Sequence, residues 1–211
     1  MARYRGPSVR QSRRAGVPLD EKSERHFSKR GGGRQNRLNP PGQHGDRRRR
    51  RPSEYGIQLR EKQKVRWLYG VLEKQFRRHF DVASRMEGVT GENLLRVLEM
   101  RLDNAVYRIG FASTRRQARQ LVTHGHIMVN GRKTDIPSAM VKAGDVVSVR
   151  PQSAEKEYFK ILAEEIGHRD VPEWITRNDE NFSATILQAP SRDQMVLPPI
   201  NEQLVVEFYS K

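Results

Sequence analysis

Five consecutive arginines, Arg47–Arg51, have the most definite chemistry in this chain. A guanidinium group can hold a phosphate through two parallel hydrogen bonds, so a run of such groups favours a partner rich in phosphate. The run lies between helix-breaking segments, with Asn39–Gly42 before it and Pro52 after it. A solvated, disordered tail is the alternative interpretation, but the flanking turn signals favour a phosphate clamp.

Positive charge is concentrated around this run. Residues 1–51 contain 16 Lys or Arg and 4 Asp or Glu, a balance of +12, whereas the whole chain carries +15. Only nine of these 51 residues are apolar, too few to offset the entropy lost on folding. We therefore predict a basic arm that becomes ordered only against a polyanion. The rest of the chain is expected to fold in the absence of this arm. Nucleic acid is the expected polyanion.

A second basic segment lies in the middle of the chain, where no acidic residue occurs between Asn104 and Thr134. Its basic residues are Arg108, Arg115, Arg116, Arg119, Arg132 and Lys133. At about 100° per residue, a short helix here would place three apolar residues on one arc and three arginines on the adjoining arc. The apolar arc comprises Ala118, Leu121 and Val122. Such a helix suits the phosphates of folded RNA better than a DNA groove, because no long recognition helix is present.

Other chemistries find little support. The chain has no cysteine, which excludes disulfides, thiolate metal sites and a cysteine nucleophile. His124 and His126 have no carboxylate close in sequence, so we interpret them as RNA or surface contacts rather than metal ligands. Asp103 and Asn104 lie in an apolar helical segment, where a cap or an internal hydrogen bond is expected. No metal, cofactor or catalytic residue is predicted. No apolar stretch approaches the roughly 18 residues that cross a membrane.

Helical periodicity supplies the elements that would position these residues. Residues 54–80 form one long helix or two stacked ones, begun by Ser53 as the N-cap. The apolar stripe of this segment comprises Ile57, Val65, Leu68, Leu72, Phe76 and Phe80. Its basic residues are either a solvated face or a second RNA surface. A second helix is predicted over 91–109, ending at Gly110, and a third from Ser113 or Thr114 to Gly125.

Strand patterns dominate the second half. Asn130-Gly131 predicts a tight hairpin after a strand over 126–129, and residues 146–150 predict another strand. A helix is predicted over 154–166 with Tyr158, Ile161, Leu162 and Ile166 inward. Residues 182–186 and 204–208 are both predicted as strands, and Trp174 as an aromatic anchor.

The residues from Arg101 to Arg150 resemble a known module. The string RLDNAVYRIGFASTRRQARQLVTHGHIMVNG, followed by AGDVVSVR, is similar to the small RNA-binding module named after ribosomal protein S4. That module also occurs in pseudouridine synthases, tyrosyl-tRNA synthetases and a heat-shock protein. Four further segments resemble the ribosomal S4 family itself, in its bacterial form. They are MARYRGP at 1–7, PGQHG at 41–45, YGIQLREKQK at 55–64 and EFYSK at 207–211.

The resemblance implies an α+β fold. A mainly helical N-terminal body with a basic arm would carry an inserted module of two helices packed on an antiparallel sheet. The implied domains are the arm at 1–52, the helical body at 53–98 joined by the returning residues 155–211, and the module at 99–154.

Some family members hold zinc with four cysteines, at positions that match Val9, Ser12, His26 and Gly31 here. None of these is a cysteine, so the chain resembles the zinc-free branch.

The implied function is that of a non-enzymatic, cytoplasmic component of the small ribosomal subunit. It would bind the 5′ domain of small-subunit rRNA directly, act as a primary assembly protein and contribute to translational accuracy. Its implied partners are rRNA, mRNA where it enters the subunit, and neighbouring ribosomal proteins, especially S5. No membrane and no second copy of the chain are required.

The expected RNA contacts fall in the arm, the following helix and the module. In the arm they are Arg3, Tyr4, Arg5, Arg10, Arg13, Arg14, Gln43, His44, Arg47, Arg48, Arg49, Arg50 and Arg51. In the helix they are Tyr55, Arg60, Lys62 and Lys64. In the module they are Arg108, Ser113, Arg115, Arg116, Arg119, His124, His126, Asn130, Arg132 and Lys133.

Two alternatives share the module. An rRNA-modifying enzyme would need a catalytic domain, and the 61 residues after Arg150 are too few for one. A heat-shock RNA-binding factor would carry the module without the matching N-terminal segments.

Overall fold

The computed structural model describes residues 4, 6–20, 23, 24, 27, 39–43, 45 and 51–210. The chain divides into two compact units, a first unit of residues 1–91 with 197–211 and a second unit of residues 92–196. The helices are α1 (Ser8–Ala15), α2 (Glu54–Leu68), α3 (Glu73–Ala83), α4 (Thr90–Glu99), α5 (Leu102–Ile109), α6 (Arg115–Thr123), α7 (Pro151–Ala154), α8 (Glu157–Glu165) and α9 (Glu202–Tyr209). The strands are β1 (Ile127–Val129), β2 (Arg132–Lys133), β3 (Val146–Val149), β4 (Ile175–Asn178) and β5 (Ser183–Ile186).

The first unit is helical, as predicted. Ser53 begins α2 as its N-cap, with its Oγ accepting a hydrogen bond from the Gly56 amide at 3.2 Å. Gly70, at φ 64°, separates α2 from α3, so the segment 54–80 forms two helices. Phe76 is fully buried, but Ile57 and Leu72 of the predicted stripe are 41% and 38% exposed. Leu72 is the N-cap of α3, so it lies before the first turn of that helix. The helical spacing counted from α2 therefore does not predict its burial.

The prediction of a strand over 204–208 is wrong, because these residues form α9. Asn201 caps the helix, with its Oδ1 accepting hydrogen bonds from the amides of Gln203 and Leu204 at 3.1 and 3.4 Å. The helix packs along α2 and buries Val205 completely. A short apolar run does not distinguish strand from helix, and here packing against α2 favours the helix.

The described part of the arm differs from the expectation that only a polyanion orders it. Helix α1 packs on α2 and buries Ala15, while Leu19 beyond it is 8% exposed. Ser12 is fully buried and donates from its Oγ to the Ser23 Oγ at 2.8 Å. The apolar residues are few over the whole arm, but α1 packs on α2 with two small buried residues, Ser12 and Ala15.

The second unit contains an antiparallel sheet with strand order β2-β1-β3-β5-β4. The predicted hairpin is present, with Asn130 and Gly131 at φ 50° and 75° joining β1 to β2. Residues of α5, α6 and the sheet share one core, which includes Val106, Val122 and Val147 at 0% exposure. The predicted aromatic anchor, Trp174, is 1% exposed in this core.

Two predicted helices of the second unit are interrupted. The segment 91–109 forms α4 and α5, separated at Met100 and by an extended Arg101 with ψ 139°. The segment 154–166 belongs to α7, α8 and a short 3₁₀ turn, because Lys156 is extended with ψ 145°. The buried arc of α8 runs through Phe159 and Leu162 to Ile166 just beyond the helix, so Ile161 lies off this arc and is 52% exposed, contrary to the prediction. Among the described residues, no helix is long and apolar enough to span a membrane.

Candidate nucleic-acid interface

Helix α6 carries the predicted basic face of the second unit. Its N-cap is Thr114, whose Oγ1 accepts a hydrogen bond from the Gln117 amide at 3.2 Å. Its apolar arc is buried, since Ala118 and Val122 are at 0% and Leu121 at 8% exposure. The other N-cap candidate, Ser113, is half-buried and accepts a hydrogen bond from Arg169 Nη2 at 3.0 Å.

The three arginines of α6 differ in their surroundings. Arg116 is exposed, whereas Arg115 and Arg119 are half-buried. Arg115 donates from Nε to Asn104 Oδ1 at 2.8 Å, and its guanidinium lies 4.5 Å from the centre of the Tyr107 ring. Arg119 donates from Nη1 to Asp103 Oδ2 at 2.6 Å. The helix therefore presents one exposed arginine and two that are anchored from below.

Asp103 and Asn104 make internal hydrogen bonds, as their position on an apolar helix predicts. Asp103 also accepts from Arg101, with Nε to Oδ1 at 3.1 Å and Nη2 to Oδ2 at 2.9 Å. Asn104 donates from Nδ2 to the backbone oxygen of Glu99 at 3.0 Å and to its carboxylate at 2.7 Å. The same carboxylate accepts two hydrogen bonds at 2.8 Å from Arg108. We call these seven residues the arginine network; they are Glu99, Arg101, Asp103, Asn104, Arg108, Arg115 and Arg119.

Arg108 was predicted to contact RNA, and the structure places it in this network. Its side chain is 10% exposed, that of Glu99 is 1% exposed, and its Nη2 also donates to the Val196 backbone oxygen at 2.9 Å. The helical pattern could not reveal this pair, because Glu99 and Arg108 lie on different helices.

The loop between α6 and β1 collects further predicted contacts. The ring centres of His124 and His126 are 6.2 Å apart, and His126 Nδ1 lies 2.9 Å from Ser153 Oγ. Burial lowers the pKa of His126, and the nearby charge of Lys156 lowers it further. The Lys133 side chain covers Gly125, since an ideal Cβ at this glycine would lie 2.5 Å from Lys133 Cε. The three predicted contacts of the hairpin, Asn130, Arg132 and Lys133, are all exposed.

The predicted contacts on α2 separate into two kinds. Tyr55 and Arg60 are exposed. Lys62 and Lys64 are buried, with Lys62 Nζ 2.6 Å from Glu73 Oε1 and Lys64 Nζ 2.5 Å from Glu61 Oε1. Lys62 also lies 4.8 Å from the centre of the Phe208 ring. Both lysines therefore have a structural role in the first unit, whatever else they contact.

In the arm, Arg10 and Arg14 are exposed on α1. Gln43, in the segment beyond this helix, is also exposed. Arg13 donates from Nε to the Asn39 backbone oxygen at 2.9 Å, which ties α1 to the segment around residue 39. Tyr4 is 41% exposed, and Arg51 is exposed ahead of α2. The other predicted contacts of the arm lie outside the described residues; they are Arg3, Arg5, His44, Arg47, Arg48, Arg49 and Arg50.

Two arginines that the sequence pattern did not single out hold the loop leading into α6. Arg177 donates to the backbone oxygens of Ile109 at 2.9 Å and Ile166 at 2.7 Å. Arg169 donates to the backbone oxygen of Gly110 at 2.8 Å. The bonds to Ile109 and Gly110 satisfy carbonyls at the end of α5, whereas the bond to Ile166 is made at the end of α8. The local sequence does not predict their role at this loop, because Ile109 and Gly110 lie 68 and 59 residues away from the arginines that contact them.

Within the described part of the chain, no cluster of His, Asp or Glu residues is suited to hold a metal ion.

Comparison with known proteins gives the family. The model for the ribosomal protein S4/S9 N-terminal domain matches residues 3–99, and that for the S4 domain matches residues 100–147. The small ribosomal subunit protein uS4 of Chloroflexus aurantiacus is 55% identical over 214 residues, covering 100% of both chains. The corresponding protein of Roseiflexus castenholzii is 53% identical, and uS4A of Symbiobacterium thermophilum is 54% identical, again over 100% of both chains.

The chain belongs to the uS4 family. This confirms the resemblance to the bacterial ribosomal S4 family. These relatives are ribosomal proteins rather than enzymes, so the alternative of an rRNA-modifying enzyme is not favoured. The uS4 match also covers the N-terminal segments that a heat-shock factor with the module alone would lack.

Proposed function

We propose that this chain is a structural protein of the cytoplasmic small ribosomal subunit and that it binds small-subunit rRNA directly. The observation that carries the proposal is the similarity to uS4 proteins along the entire chain, rather than within the module alone. The charge distribution supports it, since most of the excess positive charge lies in the arm and the acid-free stretch supplies a second basic segment.

The proposed contacts in the second unit centre on α6 and the hairpin. Arg116, Arg132 and Lys133 are exposed and would meet rRNA phosphates directly. Arg115 and Arg119 would present guanidinium groups whose orientation is already set by Asn104 and Asp103. Because the basic helix is short, binding through phosphates and the shape of folded RNA fits better than readout of a base sequence.

The proposed contacts in the first unit are those that stand exposed on α1 and at the start of α2. They are Arg10, Arg14, Arg51, Tyr55 and Arg60. The arginine run at 47–51 remains part of the proposal on its sequence alone, as a phosphate clamp.

We further propose the finer roles that the family resemblance implies. The chain would bind the 5′ domain of the rRNA early, nucleate assembly of the subunit body and contribute to decoding accuracy beside S5. Its arginine run would lie close to the mRNA where it enters the subunit.

Co-sedimentation tests the proposed function. A tagged copy expressed in a bacterial extract should move with the small subunit on a sucrose gradient, and the purified chain should bind small-subunit rRNA transcribed in vitro in the absence of other ribosomal proteins. A chain that stays at the top of the gradient and does not bind the naked rRNA would contradict the proposal. Binding to pre-formed subunits without binding to naked rRNA would contradict only the role in early assembly.

A further inference from the structure

Two adjacent residues at the start of α5 are buried and yet contact the basic helix α6. Asp103 and Asn104 are 5% and 3% exposed. Each accepts a hydrogen bond from an arginine of α6, Arg119 at 2.6 Å and Arg115 at 2.8 Å. The side chains that fix these arginines are therefore inside the second unit and cannot themselves touch a ligand.

The acceptors are in turn held from behind. The Nδ2 of Asn104 donates to Glu99, so its Oδ1 is directed to Arg115. The carboxylate of Asp103 is held by Arg101, which is itself 3% exposed. An acceptor fixed in this way leaves the guanidinium that it binds with few alternative rotamers. The Tyr107 ring, 4.5 Å from the Arg115 guanidinium, adds a second constraint.

The charge of the arginine network indicates what it would bind. The network contains four guanidinium groups and two carboxylates, those of Glu99 and Asp103, so its formal charge is +2. Buried ion pairs are often replaceable by apolar residues without loss of stability, so stability alone does not account for the network. An excess of positive charge beside an exposed basic helix favours an anion.

We propose that Asn104 and Asp103 are positioning residues for RNA binding, which hold Arg115 and Arg119 in the orientation that receives rRNA phosphates. The inference rests on the proposed function. Arginine side chains lose considerable rotamer freedom when they are immobilised by a ligand. In this chain much of that freedom is lost on folding, so binding need not order these side chains again.

A double-variant cycle with Asn104→Ala and Arg115→Gln tests this in the full-length chain. Asn104 is the better position because replacing Asp103 would remove the carboxylate that Arg101 contacts. Affinity is measured for small-subunit rRNA transcribed in vitro, at a temperature where circular dichroism shows all variants folded. Each single variant should bind roughly threefold to tenfold more weakly, and the double variant no more weakly than Arg115→Gln alone. Additive losses would overturn the proposal, because Asn104 would then not act through Arg115.

Asn93→Ala is the matched control. Asn93 lies in the same unit, is 2% exposed and, like Asn104, accepts a hydrogen bond from an arginine, in this case Arg96 of α4 at 3.1 Å. This variant should lower the melting temperature and leave rRNA affinity unchanged. If it weakens binding as much as Asn104→Ala does, the effect is a general loss of packing and the proposal is wrong.

Arg115→Lys keeps the inference testable if Asn104→Ala does not fold. Lysine retains the charge but has no Nε donor and no planar fork for Asn104 to orient. It should bind more weakly than the unchanged chain but less weakly than Arg115→Gln, because the charge is kept while its orientation is lost, and affinity equal to that of the unchanged chain would overturn the proposal. Failure of the proposed function gives a different result, because then the unchanged chain itself does not bind rRNA. If the unchanged chain binds and Arg115→Gln binds equally well, only the present inference fails.

Discussion

Neighbouring arginines of α6 have different roles because of what lies beneath them. Arg116 is exposed, whereas the side chain of Arg119 is 15% exposed and contacts the side chain of Asp103, which is 8% exposed. A charged side chain beside a buried acceptor contributes to stability as well as to binding, because its removal leaves the acceptor less satisfied.

Arg116→Gln and Arg119→Gln should therefore separate binding from stability. Arg116→Gln should change the free energy of unfolding by about 0.5 kcal/mol or less, as surface substitutions usually do. Arg119→Gln should lower it by roughly 1–3 kcal/mol, since Asp103 loses one of its donors. Urea denaturation measures both. Equal stabilities would mean that the Arg119–Asp103 contact contributes nothing to folding.

Leu121→Ala should affect stability and leave binding intact. The side chain is 8% exposed and belongs to the shared core, so its truncation should lower the free energy of unfolding by roughly 2–5 kcal/mol. Gln120→Ala, at the exposed neighbouring position, is the control and should melt like the unchanged chain. Unchanged melting with impaired rRNA binding would identify Leu121 as a contact residue instead.

His126 should make stability dependent on pH. Burial lowers its pKa in the folded chain, so the unfolded chain binds the proton more readily. Stability from this group is complete above its ordinary pKa of about 6.5 and is lost as pH falls through its lower folded value. Melting curves from pH 8 to pH 5 should show a decrease that is smaller in His126→Gln. An equal decrease in both would assign the effect to other groups.

At the scale of elements, α1 is the part of the arm that the first unit holds in place. It packs on α2, and a buried hydrogen bond joins Ser12 to Ser23. A purely ligand-ordered arm would make no such contacts. The arm therefore combines a packed helix with a strongly basic sequence.

Deletion of residues 1–51 tests how much this packing matters. The truncated chain should still melt cooperatively, because Phe76 and Val205 lie beyond the deletion and are fully buried. It should melt at a lower temperature than the full chain, since α2 loses the cover of α1, and it should bind rRNA more weakly with a smaller salt slope. Loss of cooperative melting would mean that the arm is an essential part of the core.

At the scale of the whole molecule, net charge determines how binding responds to salt. The chain carries +15, most of it in residues 1–51. Each neutralised phosphate releases counterions, so added salt opposes binding. This effect depends on how many cations reach phosphates, not on which of the two units carries them.

The affinity for small-subunit rRNA should fall steeply as ionic strength rises. About eight phosphate contacts would give a log–log slope of roughly −6 to −7. Filter binding across a potassium chloride series measures it. A slope shallower than about −2 would show that few phosphates are neutralised and that the proposed interface is too large.

Features that depend on nearby residues could be predicted from the amino-acid sequence alone. The Asn130-Gly131 hairpin, the Ser53 cap and the apolar arc of α6 follow from local patterns, and the structure contains all three. The family is also determined by the sequence, because long motifs match along the chain. Local backbone preference and side-chain spacing suffice for these features, since the residues that act together are close in the chain.

Features that depend on distant residues follow from tertiary packing and could not be predicted from local sequence. Residues 204–208 became a helix because α2 offers an apolar surface to pack on. Arg108 joined Glu99 because two helices brought them together. Which arginines stand exposed and which are anchored likewise depends on partners elsewhere in the fold. Charge and periodicity locate a basic helix, but burial and long-range hydrogen bonds determine how its guanidinium groups are held.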